Sequence, residues 1–275
     1  MNIFITGATG QLGNYAIDYL KEFAPEANLF GLARTKPAAE KLEKRGVSAR
    51  IADFSDKDSL VKAFDGMDRL LFISIPQANL QANVVAAAKE VGIKFIAYTS
   101  INGIKYPKMG LESNHRQTEL LISESGIKHT FLRNSWYLAM AKGPIDAAIK
   151  TGKYYYLSDG KVSFATRQEY AEAAARAVST ADFGEIVELG RNAFTEIDLA
   201  HALEKATGKN FEIKQVDAKT YSEHLAPYSD AGFEVYMQEY IKNGNNGESE
   251  VNQRDFEKVI GHPLAPLSKA IETIL

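Results

Sequence analysis

Three glycines near the start of the chain, Gly7, Gly10 and Gly13, have a spacing that suits phosphate binding. A short apolar run precedes them, and a stretch with apolar residues at helical intervals follows. This order of strand, glycine turn and helix presents free backbone N–H groups at a helix N-terminus, where the helix dipole also favours negative charge. We therefore expect a dinucleotide pyrophosphate here, the alternative being an ordinary strand-to-helix turn. The other turn residues expected to touch phosphate or ribose are Thr9, Gln11 and Leu12.

Arg34 lies at the end of the second predicted strand, in the sequence Ala33-Arg34-Thr35-Lys36. A site that prefers NADH places Asp or Glu near this position to bond the ribose hydroxyls, whereas an Arg accommodates a 2′-phosphate. No acidic residue stands nearby. The sequence thus favours NADPH as the cofactor, and the alternative is a surface Arg on a loop.

Further cofactor contacts are expected where later strands end, because ligands of open α/β sheets bind at the carboxyl ends of the strands. These candidates are Asp53 and Phe54 at the third strand, Ser74, Ile75 and Pro76 at the fourth, Tyr98, Thr99 and Ser100 at the fifth, and Asn134 at the sixth. Asp53 can accept a hydrogen bond from the adenine amine, but a helix cap or loop role is equally compatible with its position. For Tyr98 the alternative is a core aromatic.

No tyrosine of this chain has Lys four residues later, so the Tyr-x-x-x-Lys pair of short-chain dehydrogenases is absent. The corresponding helix instead carries His115 and Glu119, which share one helix face. His115 is our candidate proton donor or ribose ligand, and the alternative is an exposed His that pairs weakly with Glu119. The remaining histidines show no ligand spacing, so we expect no metal.

An aromatic pair follows the sixth strand at Trp136 and Tyr137, and Trp136 is the single tryptophan of the chain. Together with Asn134, these side chains could hold a nicotinamide amide and stack against a flat substrate. Tyr137 is also a second catalytic candidate. Packing between two lobes is the alternative for both aromatic residues.

Apolar strands alternate with helical stretches up to residue 134, which predicts an α/β fold with a doubly wound parallel Rossmann sheet. We expect residues 1–134 to form the dinucleotide-binding domain, with 164–190 returning to it. Residues 135–275 are expected to form mainly a smaller α+β substrate lobe. Within that lobe we predict a helix capped by Thr195 and a mobile turn over residues 243–247.

Composition narrows the class of protein. The chain has 275 residues, a net charge of −3 and 45% hydrophobic residues, which is typical of a globular protein that does not bind nucleic acid. It has no cysteine, so disulfides, zinc–thiolate sites and cysteine nucleophiles are excluded. The first residues show no signal-peptide pattern and no apolar run reaches membrane-spanning length, so we expect a cytoplasmic protein that does not contact membranes.

Several motifs together resemble the NmrA-like, atypical short-chain dehydrogenases, and among them the NADPH-dependent quinone oxidoreductase and triphenylmethane reductase type. They are Gly-Ala-Thr-Gly-Gln-Leu-Gly at 7–13, Ala-Asp-Phe-Ser-Asp at 52–56, Tyr-Thr-Ser at 98–100, His-x-x-Thr-Glu at 115–119 and Thr-Phe-Leu-Arg-Asn-x-Trp-Tyr at 130–137. Set against the commoner family pattern, His115 stands where Lys is usual and Leu111 falls at the Tyr position. Ordinary alcohol–ketone chemistry is therefore in doubt.

The resemblance implies an NADPH-dependent oxidoreductase that transfers hydride to a quinone or a similar flat aromatic acceptor, for which positioning matters more than acid catalysis. Two alternatives stay open. One is a non-catalytic NADP(H)-binding redox sensor that signals through a protein partner. The other is a carbonyl or enone reductase with His115 as its essential acid. The partner expected is a small aromatic molecule, and a homodimer is left open.

Overall fold

The computed structural model describes residues 1–275, and its first half alternates strands with helices. The strands are short and apolar because helices cover both faces of the sheet they form. The elements up to residue 134 are β1 (Asn2–Ile5), α1 (Gln11–Phe23), β2 (Asn28–Ala33), α2 (Lys36–Glu43), β3 (Ser48–Ile51), α3 (Lys57–Phe64), β4 (Arg69–Phe72), α4 (Ala78–Glu90), β5 (Phe95–Ile101), α5 (Leu111–Ser125) and β6 (Lys128–Asn134).

The second half mixes very short strands with helices, as the loss of regular alternation predicts. Its elements are β7 (Trp136–Tyr137), α6 (Lys142–Thr151), β8 (Lys153–Tyr156), β9 (Lys161–Val162), β10 (Phe164–Ala165), α7 (Arg167–Thr180), β11 (Ile186–Leu189), β12 (Phe194–Thr195), α8 (Glu196–Thr207), β13 (Glu212–Gln215), α9 (Ala218–Leu225), α10 (Ala231–Asn243), α11 (Arg254–Ile260) and α12 (Leu267–Glu272). No helix is both long enough and apolar enough to cross a membrane.

Seven parallel strands form the central sheet in the order β11-β6-β5-β4-β1-β2-β3. The strand order reverses between β1 and β4, which opens a crevice at the carboxyl ends of these two strands. This is the doubly wound Rossmann sheet that the sequence predicts, extended at one edge by β11. The fold class is confirmed.

Each face of the sheet has its own apolar core. On one face α1 and α7 pack against each other, and the side chains of Ile17 and Val178 are fully buried there. On the other face α3, α4 and α5 cover the sheet through Phe64, Val84 and Ile122. Because β5 lies between these two layers, all seven of its residues are buried.

A third core belongs to the smaller lobe, where three two-stranded sheets pair β7 with β10, β9 with β12 and β8 with β13. Tyr154, Leu199 and Ile241 are buried at its centre. The predicted cap of α8 is confirmed. Thr195 Oγ1 accepts from the Asp198 N–H at 3.1 Å, and the Asp198 carboxylate accepts from the Thr195 N–H at 2.9 Å.

The chain returns from this lobe to the central sheet more than once. β11 pairs with β6, α7 packs on α1, and α11 packs on α7 through Phe256 and Ile260. The division at residue 134 stays a prediction about domains, but these contacts place 186–189 and 254–260 beside the sheet.

The turn over residues 243–247, which we expect to be mobile, is exposed at 243–245 and anchored to the smaller lobe at its end. Asn246 is buried, and its side-chain amide donates to the Tyr240 carbonyl at 3.0 Å while its oxygen accepts from the Glu248 N–H at 3.1 Å. The turn itself is where the sequence predicts it, but glycines and asparagines do not reveal which of its residues are buried, so the mobility of the turn stays a prediction.

Candidate cofactor and substrate site

The glycine turn between β1 and α1 is closed by its own backbone. Gly7 has a φ of +61°, which side-chain-bearing residues rarely adopt, and its carbonyl accepts from the Gly10 N–H at 2.9 Å. A Cβ on Gly13 would lie 2.3 Å from the Gly7 carbonyl oxygen and 2.8 Å from the Ala8 Cα. The first turn of α1 can therefore approach β1 closely only with glycine at position 13.

Gly10 is the N-cap of α1 and supplies no side-chain cap, and no acidic residue occupies the first turn of the helix. The first N–H groups of this helix have no preceding helical carbonyl to bond, so they are available to an anion. Thr9 and Gln11 are exposed beside them. Leu12 differs, because its side chain is buried in the core and only its backbone can face a ligand.

Arg34 follows β2 directly and is exposed. Hydrogen bonds from Ser55 hold the pKa of the nearby Asp53 carboxyl below its usual range, and the charge of Arg34 lowers that pKa by a smaller amount. Asp53 Oδ1 accepts from the Ser55 N–H at 2.8 Å and from Ser55 Oγ at 2.6 Å. One carboxylate oxygen of Asp53 thus stabilises a local turn with Ser55. The helix α3 is capped by Asp56 and not by Asp53. Phe54 is half-buried and packs edge-on against Phe72.

Ser74 and Thr99 join the ends of β4 and β5. The Ser74 N–H donates to Thr99 Oγ1 at 2.9 Å, and the Thr99 hydroxyl donates to Ser74 Oγ at 3.1 Å. The Ile75 N–H donates to Gln81 Oε1, and Pro76 is exposed at the following turn. The two strand ends are therefore held together beside the crevice.

A cavity of about 410 Å³ opens at the carboxyl ends of β4, β5 and β6. Its lining is largely apolar and aromatic, and it contains no Asp, Glu, Lys or Arg. It brings together seven of the predicted residues: Ser74, Thr99, Ser100, His115, Asn134, Trp136 and Tyr137. It adds seven that were not predicted: Ile101, Met109, Leu111, Ser135, Met140, Phe233 and Tyr236.

His115 reaches this cavity from the second turn of α5. Its Nδ1 lies 3.0 Å from the Tyr98 hydroxyl, and its Nε2 has no hydrogen-bond partner in the protein. Burial lowers the pKa of His115 to about 4, against a smaller opposing effect of Glu119. The imidazole is therefore neutral near physiological pH, which weakens a role as general acid.

Glu119 does not pair with His115, contrary to the alternative offered by the sequence. Its carboxylate accepts from Arg133 Nε at 2.9 Å and from Arg133 Nη2 at 2.7 Å, and it also accepts from the Ser100 hydroxyl at 2.6 Å. Ser100 is thus committed to Glu119 although it lines the cavity.

Tyr98 lies apart from the other predicted contacts. Its side chain is fully buried, it packs against Phe72 and Phe131, and it is absent from the cavity lining. The expectation of a direct contact with the cofactor does not fit this placement, and the core-aromatic alternative does. Its hydroxyl nevertheless contacts His115 from behind.

Asn134 and Tyr137 form a polar corner of the cavity. Asn134 is buried, and its Oδ1 has no hydrogen-bond partner in the protein. An unpaired buried amide oxygen is unusual and is satisfied when a ligand donates to it. The Tyr137 ring packs edge-on against Tyr170 with the Arg167 guanidinium above it, and burial raises the pKa of its hydroxyl, which keeps it protonated.

Trp136 lines the cavity with an indole that is anchored on its other side. Its Nε1 donates to Glu248 Oε1 at 2.9 Å, and its ring meets Tyr240 edge-on. Trp136 thus contributes both to the cavity and to lobe packing, the two roles that the sequence left open.

Glu248 is a residue that sequence reasoning missed. It is fully buried and accepts from Lys108, from Trp136 Nε1, from the Tyr240 hydroxyl at 2.8 Å and from the Ser163 N–H at 2.9 Å. Four separate segments meet at this one carboxylate. No local signal marks it, because all of its partners except Tyr240 lie at least 85 residues away in the sequence.

The residues present fit a dinucleotide. The glycine turn leaves backbone close to open helix N–H groups, and the buried Asn134 Oδ1 is a free acceptor matched to an amide N–H. No group of three or more potential metal ligands comes together in the chain.

Comparison with known proteins gives a consistent result. Quinone oxidoreductase 2 of Escherichia coli (strain K12) is 34% identical over 98% of this chain and 97% of its own length. The structure of the E. coli NADPH-dependent quinone oxidoreductase QOR2 complexed with NADPH superposes with a TM-score of 0.83, at 34% identity over 99% of both chains.

The triphenylmethane reductase of Citrobacter sp., solved as a complex with NADP(H), superposes with a TM-score of 0.89, at 31% identity over 99% of this chain and 100% of the other. The model of the NmrA-like family matches residues 1–268, so the match includes both the glycine turn and the cavity. The chain therefore belongs to the NmrA-like family.

Proposed function

We propose that this protein is an NADPH-dependent oxidoreductase that reduces a quinone or a similar flat aromatic acceptor. The observation that carries the proposal is an uncharged, aromatic cavity at the carboxyl ends of β4, β5 and β6, in a chain without a Tyr-x-x-x-Lys pair. Leu111 and the neutral His115 line the cavity, at the two positions where the commoner family pattern has that pair. Such a site orients an acceptor but offers little acid catalysis.

The cofactor would be held by the parts of the chain that fit it. The N–H groups at the start of α1 would bind the pyrophosphate, and Arg34 would face the 2′-phosphate. Asn134 Oδ1 would accept from the nicotinamide carboxamide. NADPH bound in this way supplies a hydride.

The protein's own contribution is to orient the acceptor and exclude water. Trp136 and Tyr137, with Phe233 and Tyr236 of α10, give the cavity four aromatic side chains against which a planar ring can pack. Met109 is a flexible side chain that can adapt to the outline of the acceptor. Because Phe233 and Tyr236 are exposed in the free protein, binding an aromatic acceptor would also cover apolar surface.

The acceptor is thus a small molecule of a size set by the cavity. The homodimer, the cytoplasmic location and the absence of a nucleic-acid partner remain predictions. Sedimentation analysis of the purified protein tests the first of these.

The experiment mixes the purified protein with NADPH and a panel of quinones. Quinone reduction is measured as the loss of absorbance of the reduced nicotinamide. The Phe233→Ala, Tyr236→Ala double variant should raise KM for the quinone about tenfold or more, since two aromatic contacts worth roughly 0.5–1.5 kcal/mol each are lost together with buried area. KM for NADPH should not change. Leu120→Ala is the matched control, because Leu120 is an equally exposed apolar residue outside the cavity.

The same panel separates the alternatives. A redox sensor would bind NADP in calorimetry and show no turnover with any acceptor. A carbonyl or enone reductase would reduce isolated carbonyls and lose nearly all activity in His115→Ala. Absence of quinone-dependent oxidation of NADPH would refute the proposal.

A further inference from the structure

A chain of buried polar groups stands behind His115. The Tyr98 hydroxyl lies 3.0 Å from His115 Nδ1 and 3.4 Å from Gln81 Oε1. Gln81 Nε2 donates to Thr118 Oγ1 at 2.8 Å, and that hydroxyl donates to the Asn114 carbonyl at 3.1 Å. Tyr98, Gln81 and Thr118 are all fully buried, so their proton positions are set by each other rather than by water.

Ile75, which is not part of this series of hydrogen-bonded side chains, fixes the orientation of the Gln81 amide. The Ile75 N–H donates to Gln81 Oε1 at 3.1 Å, and a backbone N–H can only meet an oxygen. The amide nitrogen must therefore face Thr118. Gln81 consequently offers Tyr98 an acceptor and no donor.

The two acceptors at hydrogen-bond distance from the Tyr98 hydroxyl are His115 Nδ1 and Gln81 Oε1. Hydrogen bonds between oxygen atoms cluster at about 2.5–3.0 Å, so the 3.4 Å contact with Gln81 is a poor one. Gln81 Oε1 already accepts from the Ile75 N–H and offers Tyr98 only its second lone pair. The contact with His115 Nδ1 is shorter than the contact with Gln81, so the Tyr98 hydroxyl donates more favourably to His115.

Resting on the function proposed above, we infer that Tyr98 is a positioning residue: it donates to His115 Nδ1 and thereby holds the proton of His115 on Nε2, where it donates to a carbonyl oxygen of the bound acceptor. Nε2 has no partner in the protein, and His115 lines the cavity, so this N–H is left for the ligand. A histidine tautomer is set by the bond that the other nitrogen makes.

The role of this hydrogen bond follows from the reaction. A quinone that accepts a hydride from the reduced nicotinamide gains one proton and two electrons and becomes a hydroquinone monoanion, while the nicotinamide is oxidised. The negative charge resides on oxygen. His115 keeps its proton throughout and stabilises that oxygen by donation, and the second proton of the hydroquinone comes from water.

The burial of His115 supports this role, because a ring that stays neutral keeps a lone pair on Nδ1 for Tyr98 to bond. A protonated imidazole would present N–H groups at both nitrogens and would expel the Tyr98 proton from the shared contact.

The test reads the tautomer directly. Protein labelled with ¹⁵N-histidine is examined by long-range ¹H–¹⁵N correlation, which distinguishes protonated from unprotonated ring nitrogens. The chain has five histidines, and the resonances lost in His115→Gln assign the one in question. We expect wild-type His115 to carry its proton on Nε2, and Tyr98→Phe to shift it toward a mixture of tautomers.

Tyr98→Phe removes one hydroxyl and keeps the ring that packs on Phe72 and Phe131. It should lower kcat for a 1,4-benzoquinone about two- to tenfold, in proportion to the fraction of molecules left in the productive tautomer. The affinity for NADPH measured by calorimetry should stay unchanged. Tyr221→Phe is the control, since Tyr221 is equally buried but lies outside the cavity.

Three results would overturn the inference. They are a wild-type His115 protonated on Nδ1, a Tyr98→Phe protein with an unchanged tautomer, and a Tyr98→Phe protein that loses affinity for NADPH at constant kcat. The last would assign His115 to the cofactor. If the protein reduces no quinone at all, the function proposed above fails, while the tautomer measured on the free protein still reports whether Tyr98 sets it.

Discussion

Lys108 and Glu248 form an ion pair across 140 positions of sequence, and both side chains are buried. The pair ties the loop before α5, which carries the cavity residue Met109, to the segment that follows α10. Since Trp136 bonds to the same carboxylate, the position of one cavity wall depends on a charge pair behind it.

Replacing one partner of this ion pair should strongly destabilise the fold. Glu248→Gln keeps the shape and an acceptor oxygen but leaves the Lys108 ammonium buried without a counter-charge, which should lower the free energy of unfolding by about 3 kcal/mol. Urea unfolding measures this. Adding Lys108→Met should restore part of the loss, and a double variant as unstable as the single would contradict the pairing. Glu250→Gln is the control, because Glu250 is an exposed neighbour that also bonds the same loop.

Gly13→Ala should damage the cofactor cradle. The new methyl would sit 2.3 Å from the Gly7 carbonyl oxygen, and the atom in its way is backbone, so the turn must move. Affinity for NADPH in calorimetry should fall about tenfold or more, a loss of roughly 1.4 kcal/mol. Gly66→Ala provides the comparison for general backbone strain, because Gly66 has a φ of +75°, which disfavours alanine, but has no atom within 4 Å of an added Cβ. Equal loss of affinity in both variants would point to general destabilisation.

Arg34→Ala should reduce the preference for NADPH over NADH. A charge-assisted bond to the 2′-phosphate is lost, so kcat/KM with NADPH should drop about tenfold while the value with NADH changes little. Lys36→Ala removes another exposed cation two residues away and should have a much smaller effect. If both cofactors lose activity equally, Arg34 does not read the phosphate.

The low pKa of His115 has a consequence for stability at acid pH. Burial depresses its pKa from 6.5 to about 4 in the folded state, so the unfolded chain binds this proton first as pH falls. The contribution to stability is present above pH 6.5 and is lost as pH falls through about 4. His115→Gln should therefore flatten the decline of the urea midpoint across this window. His201→Gln, at an exposed site, should leave the slope unchanged.

Glu234 on α10 should make the stability of the fold depend on pH in the opposite direction. Burial, with smaller effects of Glu196 and Asp230, raises its pKa from 4.5 to about 7, so its contribution is present below pH 4.5 and is lost as pH rises through about 7. Glu234→Gln should remove that fall in the urea midpoint. Glu239→Gln on the same helix tests specificity, because that carboxylate is half exposed. An unchanged slope in Glu234→Gln would show that Glu234 does not cause it.

The parts of the structure that depend on local pattern were predictable from the sequence. The glycine turn, the order of β1 to β6 and the cap at Thr195 all rest on residues within a few positions of each other. The return of 164–190 to the sheet was also expected, but nothing in the run 186–189 specifies β6 as the strand with which β11 pairs.

The parts that depend on distant partners were not predictable. Neither the convergence of Lys108 and Trp136 on Glu248 nor the binding of Glu119 by Arg133 leaves a periodic trace in the sequence. The same is true of Tyr98, whose strand-end position indicates the cofactor trough, whereas the alternation of side chains in β5 turns it toward α5.

The return of the chain to the sheet limits how this molecule can be divided. β11 completes the sheet edge at β6, with Ile186 opposite Phe131 and Leu189 opposite Asn134. A fragment that stops at residue 134 would lack that edge strand and the helix α7 that covers α1. An engineer who wants to graft the acceptor pocket of one relative onto the nucleotide cradle of another therefore cannot join them at a single crossover. The exchange requires several interleaved segments, with 164–189 and 254–264 retained from the parent that supplies the sheet.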